Sequence, residues 1–500
     1  MTAPRTGDPG ASADADPHRW WGLVVIALAQ LMVILDSTIV NIALPSAQSE
    51  LGMSDSNRQW VITAYTLAFG GLLLLGGRIA DLIGRRRTFA IGLVGFAAAS
   101  ALGGAATGPG MLFGARALQG AFAAVLAPSA LSLLATTFTD PRERGKAFGI
   151  FGALAGSGSA LGFIVGGLLT EYLDWRWCLY VNTPIAIVAL TGAFFVLRDR
   201  PARTGARLDV PGVLLGCSGL AALVYGFSEA ESRGWADLFV LGLLAAGVAL
   251  LAAFVWWQAR APMPLLPLHI VKDRDRAGCF LTMMLAIMGM FGLFLFLTYY
   301  FQVVLGYSPA RSGLAFVPLT AATVIGSTQI AGRLLQHVPP RALMAPGMLL
   351  GACGMAVLTR LTVDSTYVGD ILPGLLLAGL GMGLTYMPVF ATVTAGVARQ
   401  DSGVTSATLN TSQQVGGSIG TALLNTVANT STAAYLTAHL TDSAGTAEVA
   451  REAVVHGYTV ALWCASGLML LAGVVTTLLV TARAPKHAAP AKAAVAESVG

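Results

Sequence analysis

Charge is scarce in this chain. Asp, Glu, Lys and Arg make up 11% of its 500 residues, against 55% hydrophobic residues. That is too little polar matter to coat a water-soluble globule, so most of the surface must meet lipid. Cysteine is scarce too. The 5 residues Cys178, Cys217, Cys279, Cys353 and Cys464 lie mostly inside apolar runs, without metal-like spacing. They read as small apolar packers rather than a metal or redox centre. The 6 histidines (His18, His269, His337, His439, His456, His487) are scattered and form no ligand set. No Gly-rich phosphate loop and no nucleophile–base set is readable, which argues against ATP drive, a cofactor and enzymatic chemistry. The net charge of +5 does not point to nucleic acid, because the basic residues sit in short segments between apolar runs. No cleavable leader is expected, since residues 1–18 mix Arg5, Asp8, Asp14 and Asp16 with Pro and Gly, and the apolar run that follows is too long.

What is present is a succession of apolar runs, at about 20–44, 60–77, 88–107, 110–135, 146–169, 177–197, 211–228, 236–257, 277–302, 312–335, 342–361, 370–397, 405–430 and 457–481. Each can cross a bilayer as a helix, which takes roughly 20 residues, so about fourteen spans are expected. Continuous runs exclude a membrane barrel, whose strands alternate. Basic residues are unequally shared among the connections. One set holds Arg78, Arg85, Arg86, Arg87, Arg142, Arg144, Lys146, Arg198, Arg200, Arg203, Arg207, Arg260, Lys272, Arg274, Arg276, Arg333, Arg341 and Arg399. The alternate set holds Arg58, Arg176, Arg233, Arg311, Arg360 and Arg451. That imbalance predicts the first set, and both termini, on the cytoplasmic side. Trp20, Trp21, Trp60, Trp175, Trp177, Trp235, Trp256 and Trp257 fall near run ends, as an interfacial belt requires.

The chain also echoes itself. Gly77-Arg78-Ile79-Ala80-Asp81 returns as Gly332-Arg333-Leu334-Leu335-Gln336, and Gly145, Gly158 and Gly162 return with their spacing kept at Gly403, Gly416 and Gly420. The two offsets nearly agree, which suggests one duplication with room for two additional helices between the halves. The expected organisation is a cytoplasmic tail over 1–18, a six-helix bundle over 19–198 and a two-helix insertion with linkers over 199–275. A second six-helix bundle follows over 276–481, then a tail over 482–500. Paired six-helix halves with a site between them near the midplane are a common plan for secondary transporters.

One acid stands out. Asp36 lies within the first run, where a charge costs about 2.5–3.5 kcal/mol and is seldom kept without a use. At 1.5 Å per helical residue it lies about 24 Å from the boundary near Trp20, hence about 6 Å from the opposite boundary of a core roughly 30 Å thick. Arg116 enters the fourth run from that opposite side and lies about 9 Å deep. The two charges share a depth and could pair, or compete for a proton and a ligand. Polar groups in or beside spans that would face a central cavity are Asn41, Tyr299, Tyr300, Gln302, Asn410, Gln413 and Gln414.

Several local patterns converge. Leu35-Asp36-Ser37-Thr38-Ile39-Val40-Asn41-Ile42-Ala43-Leu44-Pro45 resembles the first-helix signature of the fourteen-helix drug:proton antiporters in the major facilitator superfamily. Gly77-Arg78-Ile79-Ala80-Asp81-Leu82-Ile83-Gly84-Arg85-Arg86-Arg87 is similar to that superfamily's loop between helices 2 and 3, and Arg116-Ala117-Leu118-Gln119-Gly120 to its fourth-helix motif. Gly158, Gly162, Gly166 and Gly167 resemble the fifth-helix antiporter motif, with Phe163 where that motif carries Pro. Trp175-Arg176-Trp177 and Asn182-Thr183-Pro184 fit the same branch.

The resemblance implies an all-α polytopic protein of the bacterial cytoplasmic membrane, probing no partner beyond lipid, a lipophilic small molecule and protons, and acting as a monomer. It implies export of drugs or antibiotics in exchange for protons, with Asp36 binding the proton and Arg116 tuning it. Gly77, Arg78, Asp81, Gly84, Arg85 and Arg86 would form a cytoplasmic latch, and the four glycines a close helix contact. A proton-coupled uptake symporter shares the fold and stays open as an alternative; a membrane sensor would need a soluble domain that is not readable here.

Overall fold

The computed structural model describes residues 19–55, 57–138, 141–197, 209–262, 264–335, 337–395, 397, 402–439 and 446–482. The tail expected over 1–18, nearly all of that over 482–500, and Gln336 lie outside the described residues. Among the latter there are no strands. The described residues form fourteen long helical rods: α1 Arg19–Leu51, α2 Trp60–Ile83, α3 Arg85–Gly104, α4 Pro109–Thr137, α5 Pro141–Tyr172, α6 Trp177–Val196, α7 Val210–Arg233, α8 Leu238–Gln258, α9 Arg274–Val304, α10 Pro309–Leu334, α11 Arg341–Leu358, α12 Tyr367–Thr394, α13 Ser402–His439 and α14 Thr446–Leu479. A short helix, Leu268–Lys272, precedes α9.

Eleven rods are long and apolar enough to cross a membrane. The described apolar parts of α2 and α5 are shorter, Trp60–Leu73 and Leu161–Tyr172. α13 is diluted by Thr405, Asn410, Gln413, Gln414, Ser418, Thr421, Asn425 and Thr426, because it faces other helices rather than lipid. Local chemistry sets the rod ends. Asp209, Asp237 and Asp273 cap α7, α8 and α9, accepting from the backbone amides of Gly212, Phe239 and Arg276 at 3.0, 2.9 and 3.0 Å. Pro109 and Pro309 open α4 and α10, where a missing amide proton is harmless. Gly84, at φ 95°, reverses the chain between α2 and α3 with no spacer residue, a conformation costly for any other side chain.

The packing repeats. In the first half α1 lies against α4, α5 and α6, α4 against α2 and α3, and α3 against α6. In the second, α9 lies against α12, α13 and α14, α12 against α10 and α11, and α11 against α14. Every pair recurs eight rods later. The halves meet chiefly along two seams, α2 with α13 and α5 with α10, which exchange under the same shift, and α1 also touches α9. The glycine echo is this repeat seen at close range. A Cβ at Gly158 would lie 2.9 Å from Ile34 Cγ2 on α1, and one at Gly416 would lie 3.1 Å from Met284 Cα on α9. Gly162 and Gly420 likewise press on Thr38 and Met288, four residues further along each partner. The two extra helices form a hairpin: α7 lies on α8, α2 and α13, so it covers one seam.

Candidate functional site

Near the end of the bundle opposite the arginine-rich turns, five rods of the first half bring polar groups to one point. Asp36 on α1 is fully buried, and Arg116 on α4 is 1% exposed. Arg116 Nη1 donates to Asp36 Oδ2 at 2.7 Å. Gln119 Nε2 and Asn182 Nδ2 donate to Asp36 Oδ1 at 2.7 and 2.8 Å. Both amides also donate to Ser100 Oγ on α3, at 3.0 and 2.9 Å, and that hydroxyl donates to Leu179 O at 2.7 Å. The guanidinium is held in turn by Val61 O at 3.0 Å and Gln119 Oε1 at 2.7 Å, and lies 4.3 Å from the Tyr65 ring centre on α2. The carboxylate thus has three donors and an opposite charge, and the buried pair is electrically neutral.

Sequence depth placed Asp36 and Arg116 at one level, and the structure brings them into contact. It adds Tyr65, Ser100, Gln119 and Asn182, which depth alone did not single out. Two signals were legible: Gln119 lies one helical turn from Arg116 and so on the same face, and Asn182 opens the Asn-Thr-Pro stretch.

The other candidates lie apart from this cluster. Asn41 is buried, donates to Ser37 O at 2.9 Å, and its Oδ1 has no partner. Tyr299 reaches across to Gln48 of α1, and Gln302 Nε2 donates to Ile42 O at 3.0 Å, so both join the halves. Tyr300 instead donates to Thr362 O, within the second half. Asn410, Gln413 and Gln414 are half-buried on α13, with Gln414 against Gly70 of α2. At the arginine-rich end, Gly77 faces Pro128, Arg78 Nη2 donates to Pro264 O at 2.7 Å, and Arg86 Nη2 donates to Phe194 O at 2.8 Å. These arginines grip the linker before α9 and the end of α6; Arg85 is half-buried, and the Asp81 side chain lies outside the described ones. Of the four antiporter-motif glycines, Gly158, Gly162 and Gly166 contact α1, whereas Gly167 meets Pro309 and Ala310 of α10 across the seam.

Phe163, beside that motif, is buried and stacks on Phe316 at 4.7 Å and 22°. It also lies 5.1 Å from Phe294. A proline there would have left this aromatic contact between the halves unmade.

Comparison with known proteins matches residues 26–421 to the Major Facilitator Superfamily. The chain is 56% identical over 95% of its length, and 94% of the relative's, to "Puromycin resistance protein pur8" of Streptomyces alboniger. It is 42% identical over 84% of its length, and 88% of the relative's, to "Cephamycin export protein CmcT" of Amycolatopsis lactamdurans. Its fold is similar to the inward-facing, occupied crystal structure of a bacterial homologue of the human lysosomal transporter Spinster, with a TM-score of 0.67 at 14% identity over 93% of this chain and 97% of that one.

Proposed function

Because this chain belongs to the Major Facilitator Superfamily, we propose that it expels lipophilic antibiotics across the bacterial cytoplasmic membrane in exchange for protons, with puromycin the first substrate to test. The observation that carries the reading is the buried Asp36–Arg116 pair with its amide donors. A proton arriving at Asp36 removes the negative charge, so Arg116 loses its counter-charge inside a low-dielectric site. That strained state relaxes only if α1 and α4 shift relative to each other, which is the kind of motion that rocks one half against the other. Releasing the proton restores the pair and the starting arrangement. Relatives that confer puromycin resistance and export cephamycin support the outward direction.

In this reading the arginine-rich turns and both termini are cytoplasmic, Arg78 and Arg86 brace the inner side, and Gln413, Gln414 and Asn410 face the cargo. One copy suffices, since the repeat supplies both halves. The test uses protein in liposomes with an imposed pH gradient. Puromycin should move against its own gradient while the pH gradient dissipates, and the movement should stop with a protonophore. Drug movement that leaves the pH gradient untouched would refute proton exchange, and drug-driven proton movement in the same direction as drug would instead reveal symport.

A further inference from the structure

Arg58 is out of character for a loop residue. It lies in the connection between α1 and α2, where an arginine is normally solvated, yet it is 3% exposed. Its Nη1 donates to Asp55 Oδ1 at 2.9 Å. Its guanidinium carbon lies 3.9 Å from the ring centre of Tyr299 on α9, and Tyr458 on α14 lines the same cavity as Arg58. Both tyrosines belong to the second half. Around this contact Asn425 Nδ2 donates to Asp55 O at 3.3 Å, Tyr299 bonds Gln48, and Gln302 bonds Ile42 O. A cavity of about 630 Å³ adjoins it, lined by Gln48, Asp55, Arg58, Tyr299, Asn429 and Tyr458 among others.

We propose that Arg58 is the bolt of the outer gate, a positioning residue that pins the α1–α2 loop onto α9 and α14 and must leave both tyrosines before cargo can exit. Its sidedness rests on the export reading above. Two features suit a bolt rather than a static pin. Asp55 sits on the same loop and its side chain is 69% exposed, so the arginine withdraws with its counter-charge attached and no unpaired charge is left behind. The neighbouring cavity gives the guanidinium somewhere to go. A planar guanidinium can stack on one ring and bond a carboxylate at the same time; an ammonium cannot do both equally.

Ser418, fully buried and bonded to Thr66 at 2.7 Å, reports on the seam beneath this contact. Ser418→Cys, in a background free of the natural cysteines, would be treated with a membrane-impermeant maleimide added outside intact cells. Arg58→Gln should raise the labelling rate at least tenfold, Tyr458→Phe by less, and Arg58→Lys should restore part of the protection. Tyr299→Leu, which strips the bolt from the other side, should match Arg58→Gln and decides the matter if the latter fails to fold. Unchanged labelling in a folded Arg58→Gln or Tyr299→Leu protein that still exports puromycin overturns the bolt alone. Gated labelling without any drug export would overturn the export reading instead.

Discussion

Replacing Asp36 separates its shape from its charge. Three donors converge on two carboxylate oxygens, one of them a buried arginine. Asp36→Asn leaves one acceptor, which will turn to Arg116 because that bond is charge-assisted. The new amide group then faces Gln119 Nε2 and Asn182 Nδ2. Asn182 can rotate to accept, since its Oδ1 has no partner. Gln119 cannot, because its Oε1 already accepts from Arg116. One buried donor is stranded, a loss of about 1–3 kcal/mol. Either change also takes the buried counter-charge from Arg116, a loss of about 3–5 kcal/mol, and Asp36→Ala removes both acceptors as well. Arg116→Gln added to Asp36→Asn removes the stray charge, so the pair should be less destabilised than the two single losses summed.

Unfolding in detergent would rank the variants, and liposomes would read coupling. The expected order of stability is native, Asp36→Asn, Asp36→Ala, with puromycin binding kept in Asp36→Asn and proton exchange lost in both. Proton exchange at the native rate in Asp36→Asn would refute the assignment of the proton site. Native stability in either variant would refute the ion-pair argument, and equal stability of the two would refute the acceptor argument.

Gly158→Ala meets the flexible end of Ile34 and should lower the unfolding midpoint slightly, whereas Gly420→Ala drives into the backbone of Met288 and should lower it markedly or prevent folding; equal effects would contradict the close helix contact. Of single cysteines in a cysteine-free background, Asn57→Cys should react with an impermeant reagent in intact cells and Lys272→Cys should not; the reverse pattern would invert the topology. Vesicles should export a monocationic aromatic dye faster than its matched dication, because a dication would lose more hydration and the buried acid Asp36 is already paired with Arg116; preference for the dication would show that an acid reaches the cargo.

The rods and the duplication were legible because each rests on a long-range regularity: apolar run length and matched glycine spacing. Asp36 and Arg116 were legible for a related reason, since a charge inside an apolar run is conspicuous. Arg58 was not, because an arginine in a polar turn looks like any topology marker; only the fold reveals that α9 and α14 close over it. Tyr300 misled in the opposite sense. A tyrosine in a span looks available to a cavity, but one step along the helix from Tyr299 turns it some 100° away, to Thr362.

The repeat also shows how the work is divided. The glycine contacts match Ile34 to Met284 and Thr38 to Met288, so the counterpart of Asp36 is Ala286. On α4 and α12, Gly120 presses on Tyr65 O as Gly379 presses on Leu319 O, which makes Leu375 the counterpart of Arg116. Ala286, Leu319 and Leu375 are all buried. Among the described residues the buried charged side chains are Asp36, Arg58, Arg116 and Asp209, and none lies in the second half. The same scaffold therefore holds an ion pair in one copy and plain apolar packing in the other. An event at Asp36 can reach the second half along α1 itself, which Tyr299 and Gln302 of α9 bond directly, and through the seams, where Thr66 meets Ser418 and Phe163 meets Phe316. α7 adds a further tie across the first of these, bonding Gly71 O through Cys217 at 3.3 Å and accepting from Thr426 at Phe227 O at 3.0 Å. The extra hairpin thus grips both halves beside one seam, whereas the other, α5 with α10, is closed by its own contacts, with Glu171 accepting from Ala310 N at 2.9 Å and Gly167 against Pro309.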